Sequence, residues 1–229
     1  MARMKDLFHD IVEMYSYDGM KEHEIAKSLG ISLLQVHEAL ALYYFQGQYQ
    51  LSTADAIYSD GNRYRPALIA IKQHIDLFKH SEELLVLGTG LASVVHVLNK
   101  YHCYPAITLV DIDKEILDWA AAVLPKNYPK EKVSIVAADA MTIIQHCKAH
   151  SYDCLFVDLF IGQCLPDAAT QTAFLLQCKK AIKPGGLFIM NYIATDFVAW
   201  KYYQKRVQDV YPNVIVIEND INKIMTAIV

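Results

Sequence analysis

Four short stretches of the chain carry groups able to do chemistry. The apolar run Leu84-Leu85-Val86-Leu87 ends in Gly88-Thr89-Gly90. Glycines there let a ligand approach the backbone, and a helix opening just after them supplies unpaired N–H donors. A plain structural turn would carry the same glycines. Asp111, 21 residues after Gly90, closes a second apolar run. An acid at that place can accept both hydroxyls of a ribose, and Asp111 or Asp113 can equally cap the next helix. Asp139, in Ala138-Asp139-Ala140, can accept from an exocyclic purine amine or cap a helix. Asp158 ends Tyr152-Asp153-Cys154-Leu155-Phe156-Val157. It can orient or deprotonate an attacking amine or hydroxyl, or be a substrate-positioning or solvated acid.

These residues need a frame that brings them to one edge. Strand patterns at 84–88, 106–110, 133–137, 154–157 and 187–190 alternate with helical patterns at 92–100, 114–124, 140–149, 168–182 and 196–210. Short apolar runs of this kind suit strands buried on both faces. Residues 214–217 and 224–229 read as a closing antiparallel pair. The expectation is an α/β fold with a mostly parallel, seven-stranded Rossmann-like sheet, whose ligand sits at the carboxyl ends of the strands. Lys183-Pro184-Gly185-Gly186 reads as a sharp turn, and Asn191-Tyr192 as a candidate acceptor-site pair on the same edge.

The first 66 residues form a separate module, with the second domain at 67–229. Helices are expected at 5–15, 21–29 and from Ser32 to about 45. Ala26, Gly30 and Val36 carry the spacing of a helix-turn-helix. Asp60-Gly61, between residues 56–59 and 62–65, predicts a hairpin, which together with the helices makes a winged-helix-like module. Residues 1–50 hold four Lys and Arg against seven acids, and the would-be recognition helix opens Ser32-Leu33-Leu34-Gln35 without a cation. That balance speaks against DNA and for a dimer contact or substrate lid. Tyr58, Arg63, Tyr64 and Arg65 read as substrate contacts or as hairpin packing.

Composition excludes whole classes. With 54% hydrophobic and 20% charged residues over 229, the chain is no disordered tail. A net charge of −4 suits no general phosphate binder, and no apolar run reaches the length of a membrane span. The five cysteines make no CxxC pair, and His96 and His102 lack a third ligand, so no metal is expected. Reduced thiols, the lack of a signal-peptide pattern and the absent span imply a cytoplasmic protein.

Leu-Leu-Val-Leu-Gly-Thr-Gly at 84–90, Val-Asp-Ile-Asp at 110–113, Ala-Ala-Asp-Ala at 137–140, the run at 152–160 and Lys-Pro-Gly-Gly at 183–186 together resemble the class I AdoMet-dependent methyltransferase superfamily, in its spermidine synthase-like branch. The resemblance implies S-adenosylmethionine or its decarboxylated form in the cleft. Gly88 and Gly90 would line its methionine portion, Asp111 would bind the ribose and Asp139 the adenine amine, with Thr89, Ile112 and Ala140 also bordering the cofactor, and Asp158 would face the attacking group. The chain departs from that branch at two carboxylates. Leu91 stands where the first loop has an aspartate, and Ile161 stands three residues after Asp158 in place of another.

A polycation wants several counter-charges when it is desolvated. The leading expectation is therefore methyl transfer from AdoMet to a small or peptide acceptor, within a homodimer. The alternatives are aminopropyl transfer to a polyamine and a non-catalytic nucleoside-binding regulator.

Overall fold

The computed structural model describes residues 27–28, 41–45, 47–52, 57–160 and 163–229. It divides into two units, Met1–Asp60 and Gly61–Val229. The expected helices at 5–15 and 21–29, and the helix-turn-helix with them, lie outside the described residues but for Lys27 and Ser28, which are helical. So does most of the helix expected from Ser32.

The described part of the first unit is an antiparallel sheet of three strands, β1 (Ala41–Phe45), β2 (Gln48–Ser52) and β3 (Ile57–Ser59). The helix expected to reach about 45 therefore gives way to a strand before its end. Tyr44 and Tyr49 sit directly opposite one another, their rings 5.0 Å apart edge to face. Such aromatic cross-strand pairs favour a strand over a helix. The hairpin expected at Asp60-Gly61 is not formed either. β3 pairs with β2, and Gly61–Arg63 is a 3-10 turn. Pro66 explains the difference. It has no N–H for a ladder, and its fixed φ suits the start of helix α1 (Arg65–Gln73).

The second unit continues through α2 (Ile75–His80), β4 (Glu83–Leu87), α3 (Ser93–Lys100), β5 (Ala106–Asp111), α4 (Lys114–Val123), β6 (Val133–Ala137), α5 (Ala140–His146), β7 (Tyr152–Val157), α6 (Thr172–Ala181), β8 (Ile182–Ile193), α7 (Phe197–Val210), β9 (Ile215–Asn219) and β10 (Asn222–Ile228). The sheet runs β6-β5-β4-β7-β8-β10-β9, parallel from β6 to β8 and antiparallel at β10 and β9. This is the expected Rossmann-like architecture.

Both faces of the sheet are covered. Leu85, Leu87, Leu155, Val157, Phe188 and Met190 pack toward α5, α6 and α7. Their alternates Leu84, Val86, Cys154, Phe156, Leu187 and Ile189 pack toward α1, α2 and α3. That two-sided burial makes the strand sequences continuous rather than alternating. The Lys183–Gly186 turn proves to be a bulge inside β8, where pairing jumps from Tyr152↔Ile182 to Cys154↔Leu187. Asp153 secures the amino-terminal end of β7 at this bulge. Its carboxylate accepts from the Glu82 and Glu83 amides at 2.9 Å and from Lys183 at 2.9 Å.

Candidate active site

Chain order β4-β5-β6 runs outward on one side and β7-β8 on the other, so the direction of winding switches between β4 and β7. A crevice opens at such a point, beyond the carboxyl ends of the strands. Backbone hydrogen bonds lace the turns there. The Asp158 amide donates to the Leu87 carbonyl at 2.8 Å, Gly88 to Val110 at 2.9 Å, and Ala138 to Asp111 at 2.9 Å. Gly88 has φ +87°, and a Cβ on it would collide with the Asp158 carbonyl oxygen. The glycine is thus what allows the first loop to lie against the end of β7.

Asp111 holds two loops. Its Oδ2 accepts from the Thr89 amide at 2.9 Å and its Oδ1 from the Asp113 amide at 3.1 Å. Each oxygen keeps a further lone pair, the number two vicinal hydroxyls require. Asp113 takes the capping role on α4 by accepting from Glu115 and Ile116, which leaves Asp111 free of it. Asp139 does cap α5, accepting from Met141 at 3.1 Å and from the Thr142 hydroxyl at 3.4 Å. It stays exposed, with further acceptor capacity. Ile112 is 77% exposed on the same edge, while the Ala140 side chain is buried in the core and offers only its backbone. The buried Thr89 hydroxyl has no hydrogen-bond partner among the described residues.

Asp158 is half-buried and meets two side chains from distant parts of the chain. Asn191 Nδ2 donates to its Oδ1 at 3.0 Å, and the Tyr64 hydroxyl hydrogen-bonds it as well. Asn191 Nδ2 also reaches the Tyr64 hydroxyl oxygen at 3.4 Å. Burial pushes the Asp158 carboxyl up to about 6, against the opposing pull of the bonds from Asn191 and Tyr64. Burial, reinforced by the Asp158 charge, holds the Tyr64 phenol well above its ordinary value. A carboxylate so tuned is ionised at neutral pH yet able to take a proton during reaction.

The expected Asn191-Tyr192 pair separates. Successive strand residues face opposite sides, so Asn191 turns to Asp158 while Tyr192 stacks on Tyr203 and meets Trp200 at a tilt. Tyr64 belongs to the turn before α1, not to a hairpin. Spacing placed it among four candidate contacts with Tyr58, Arg63 and Arg65, and did not pair it with Asp158 or Asn191. Ile161 lies outside the described residues. Leu91 is 1% exposed.

Residues 70–221 match the model of the spermine/spermidine synthase domain, and the chain belongs to that family. Among curated relatives, a polyamine aminopropyltransferase of Neisseria meningitidis is 26% identical over 127 residues, covering 56% of this chain and 46% of the relative. A spermine synthase of Saccharomyces cerevisiae is 24% identical over 153 residues, covering 61% and 51%. The chain spans about half the length of the curated relatives it matches. Two solved structures share the fold. A probable spermidine synthase from Corynebacterium glutamicum superposes with a TM-score of 0.67 at 19% identity, over 82% of this chain and 76% of that one. Human methyltransferase-like protein 13 in complex with SAH gives 0.59 at 21%, over 73% and 81%.

The family match corrects the leading expectation of methyl transfer to an unidentified acceptor. The model and the curated relatives stand on the aminopropyl side. The inference from Leu91 failed for a physical reason. Its side chain is buried, so packing of the first loop accounts for an apolar residue there whatever the chemistry in the crevice.

Proposed function

We propose that the chain transfers an aminopropyl group from decarboxylated S-adenosylmethionine to a polyamine-type amine. The observation that carries this reading is the Asp158 carboxylate beside the Gly88 loop, bonded by Asn191 and Tyr64, in a chain of this family. Asp111 would accept the ribose hydroxyls, Asp139 the adenine amine, and Ile112 would lie against the purine face. The Gly88-Thr89-Gly90 backbone would lie along the remainder of the donor.

In the reaction the acceptor nitrogen lone pair forms the new C–N bond at the carbon beside the sulfonium. The C–S bond breaks, and its electron pair returns to sulfur as methylthioadenosine leaves. The nitrogen sheds a proton, which Asp158 accepts. Most of the acceleration comes from holding the two partners in line. Homodimerisation and a cytoplasmic setting accompany this reading, the first checked by light scattering of the full chain. The function is tested by incubating the protein with decarboxylated S-adenosylmethionine and a series of diamines, and following methylthioadenosine. Release that depends on both substrates is expected. No release with any amine would overturn the proposal.

A further inference from the structure

Asn191 is a polar side chain in an apolar place. It is fully buried in β8, paired across to Ile224 of β10, with Met190 beside it paired to Val157 of β7. A leucine would fill a similar volume without the need to desolvate an amide. The amide is only half satisfied. Both its hydrogens are engaged, one at Asp158 Oδ1 and one at the Tyr64 hydroxyl oxygen. Its oxygen has no partner among the described residues. Turning the amide over would set that oxygen against the carboxylate, so the orphaned acceptor follows from the donors' task.

The hydroxyl of Tyr64 has one hydrogen and two lone pairs. Asn191 occupies a lone pair and thereby directs the hydrogen to Asp158. We infer that Asn191 is a positioning residue: it aims the Tyr64 hydroxyl and its own amide at Asp158, and so keeps that carboxylate in its proton-accepting form. Both donors converge on the charged carboxylate and favour it over the neutral acid. Among the described residues, Tyr64 is the titratable group that acts on Asp158. The first loop offers glycine backbone there. Lys223, opposite Tyr192 and one pair along from Asn191, is tied to Glu218 at 3.3 Å.

The inference rests on the aminopropyl-transfer reading only for the source of the proton, and the two can be tested apart. The aspartate carboxyls of the full chain would be titrated by carbon-13 NMR, with Asp158 assigned through D158N. Wild type would be compared with Asn191→Leu and, should that variant not fold, Asn191→Thr. The Asp158 midpoint is expected to rise by about one pH unit, the worth of one charge-assisted hydrogen bond. The acid limb of kcat/KM for the amine should move by the same amount, while methylthioadenosine affinity stays put. In a Tyr64→Phe background the rise should be smaller, because no hydroxyl remains to be aimed. An unmoved midpoint in the folded variant overturns the inference even if the enzyme turns over amines. A raised midpoint without turnover by wild type upholds it and sinks the aminopropyl reading.

Discussion

Replacing Gly88 with alanine tests the close approach on which the crevice depends. At φ +87° an L-residue is strained by about 1–2 kcal/mol. The added methyl must also displace the carbonyl of Asp158, whose carbon would lie 2.7 Å away. Forcing extra volume into a packed place costs about 1–3 kcal/mol more. The bonds from Asp158 to Leu87 and from Gly88 to Val110 flank the clash, so relaxation cannot be local. The total is about 2–5 kcal/mol, a large part of a typical domain's stability.

Gly185 supplies the control. Its φ is +81°, but a Cβ there meets nothing within 4 Å, so Gly185→Ala should show the backbone strain alone, about 1–2 kcal/mol. Urea unfolding of both variants at one pH separates the two contributions. Turnover in Gly88→Ala should fall about a hundredfold as the carboxylate moves, while Gly185→Ala keeps its activity. Equal losses of stability in the two variants would refute the close-approach argument.

Asp158→Asn should lower turnover by about 10²–10⁴. It should also remove a pH-dependent weakness. A carboxyl raised from 3.8 to about 6 in the fold contributes stability that is complete at acid pH and lost as pH rises through about 6. At about 1.36 kcal/mol per pH unit the loss is up to about 3 kcal/mol, read as a fall in wild-type urea midpoint from pH 4.5 to pH 8 that the variant lacks. For wild type, kcat/KM for the amine should rise with pH and level off above about 6; a flat profile there would remove Asp158 as the base. Asp111→Ala should weaken methylthioadenosine binding by at least about 100-fold in calorimetry, from the lost hydroxyl acceptors and the loosened Thr89 and Asp113 amides; unchanged affinity would end the ribose assignment. Burial pushes Asp153 up, but Lys183 and the Glu83 and Glu82 amides prevail and hold it below its ordinary value. Its stabilisation is present above about pH 4 and lost as pH falls through the lowered value, so Asp153→Asn should cost about 1–2 kcal/mol at pH 7 and less in acid; equal loss at both pH values would discount the ion pair.

Local chemistry made most of the second unit legible. Both-face burial writes itself as apolar runs, and helix starts follow capping residues such as Asp113, Asp139 and Asp196. Hence the strands, the carboxyl edge and the carboxylates Asp111, Asp139 and Asp158 could be placed from spacing alone. Local chemistry misled where two signals competed, as when Asp60-Gly61 suggested a hairpin that Pro66 converted into a helix start.

What spacing cannot carry is convergence. Tyr64, Asp158 and Asn191 are separated by 127 residues from first to last, yet share one hydrogen-bond network. Their meeting depends on strand order, β7 beside β8, and on which face residue 191 turns toward. The same holds for Leu91, whose identity suggested altered chemistry until its burial showed a core residue. Sequence alone determines periodicity, caps and turns because these are settled within a few residues. Packing settles which polar groups face one another, and with them the working charge of Asp158, because burial and hydrogen bonding are properties of the assembled neighbours.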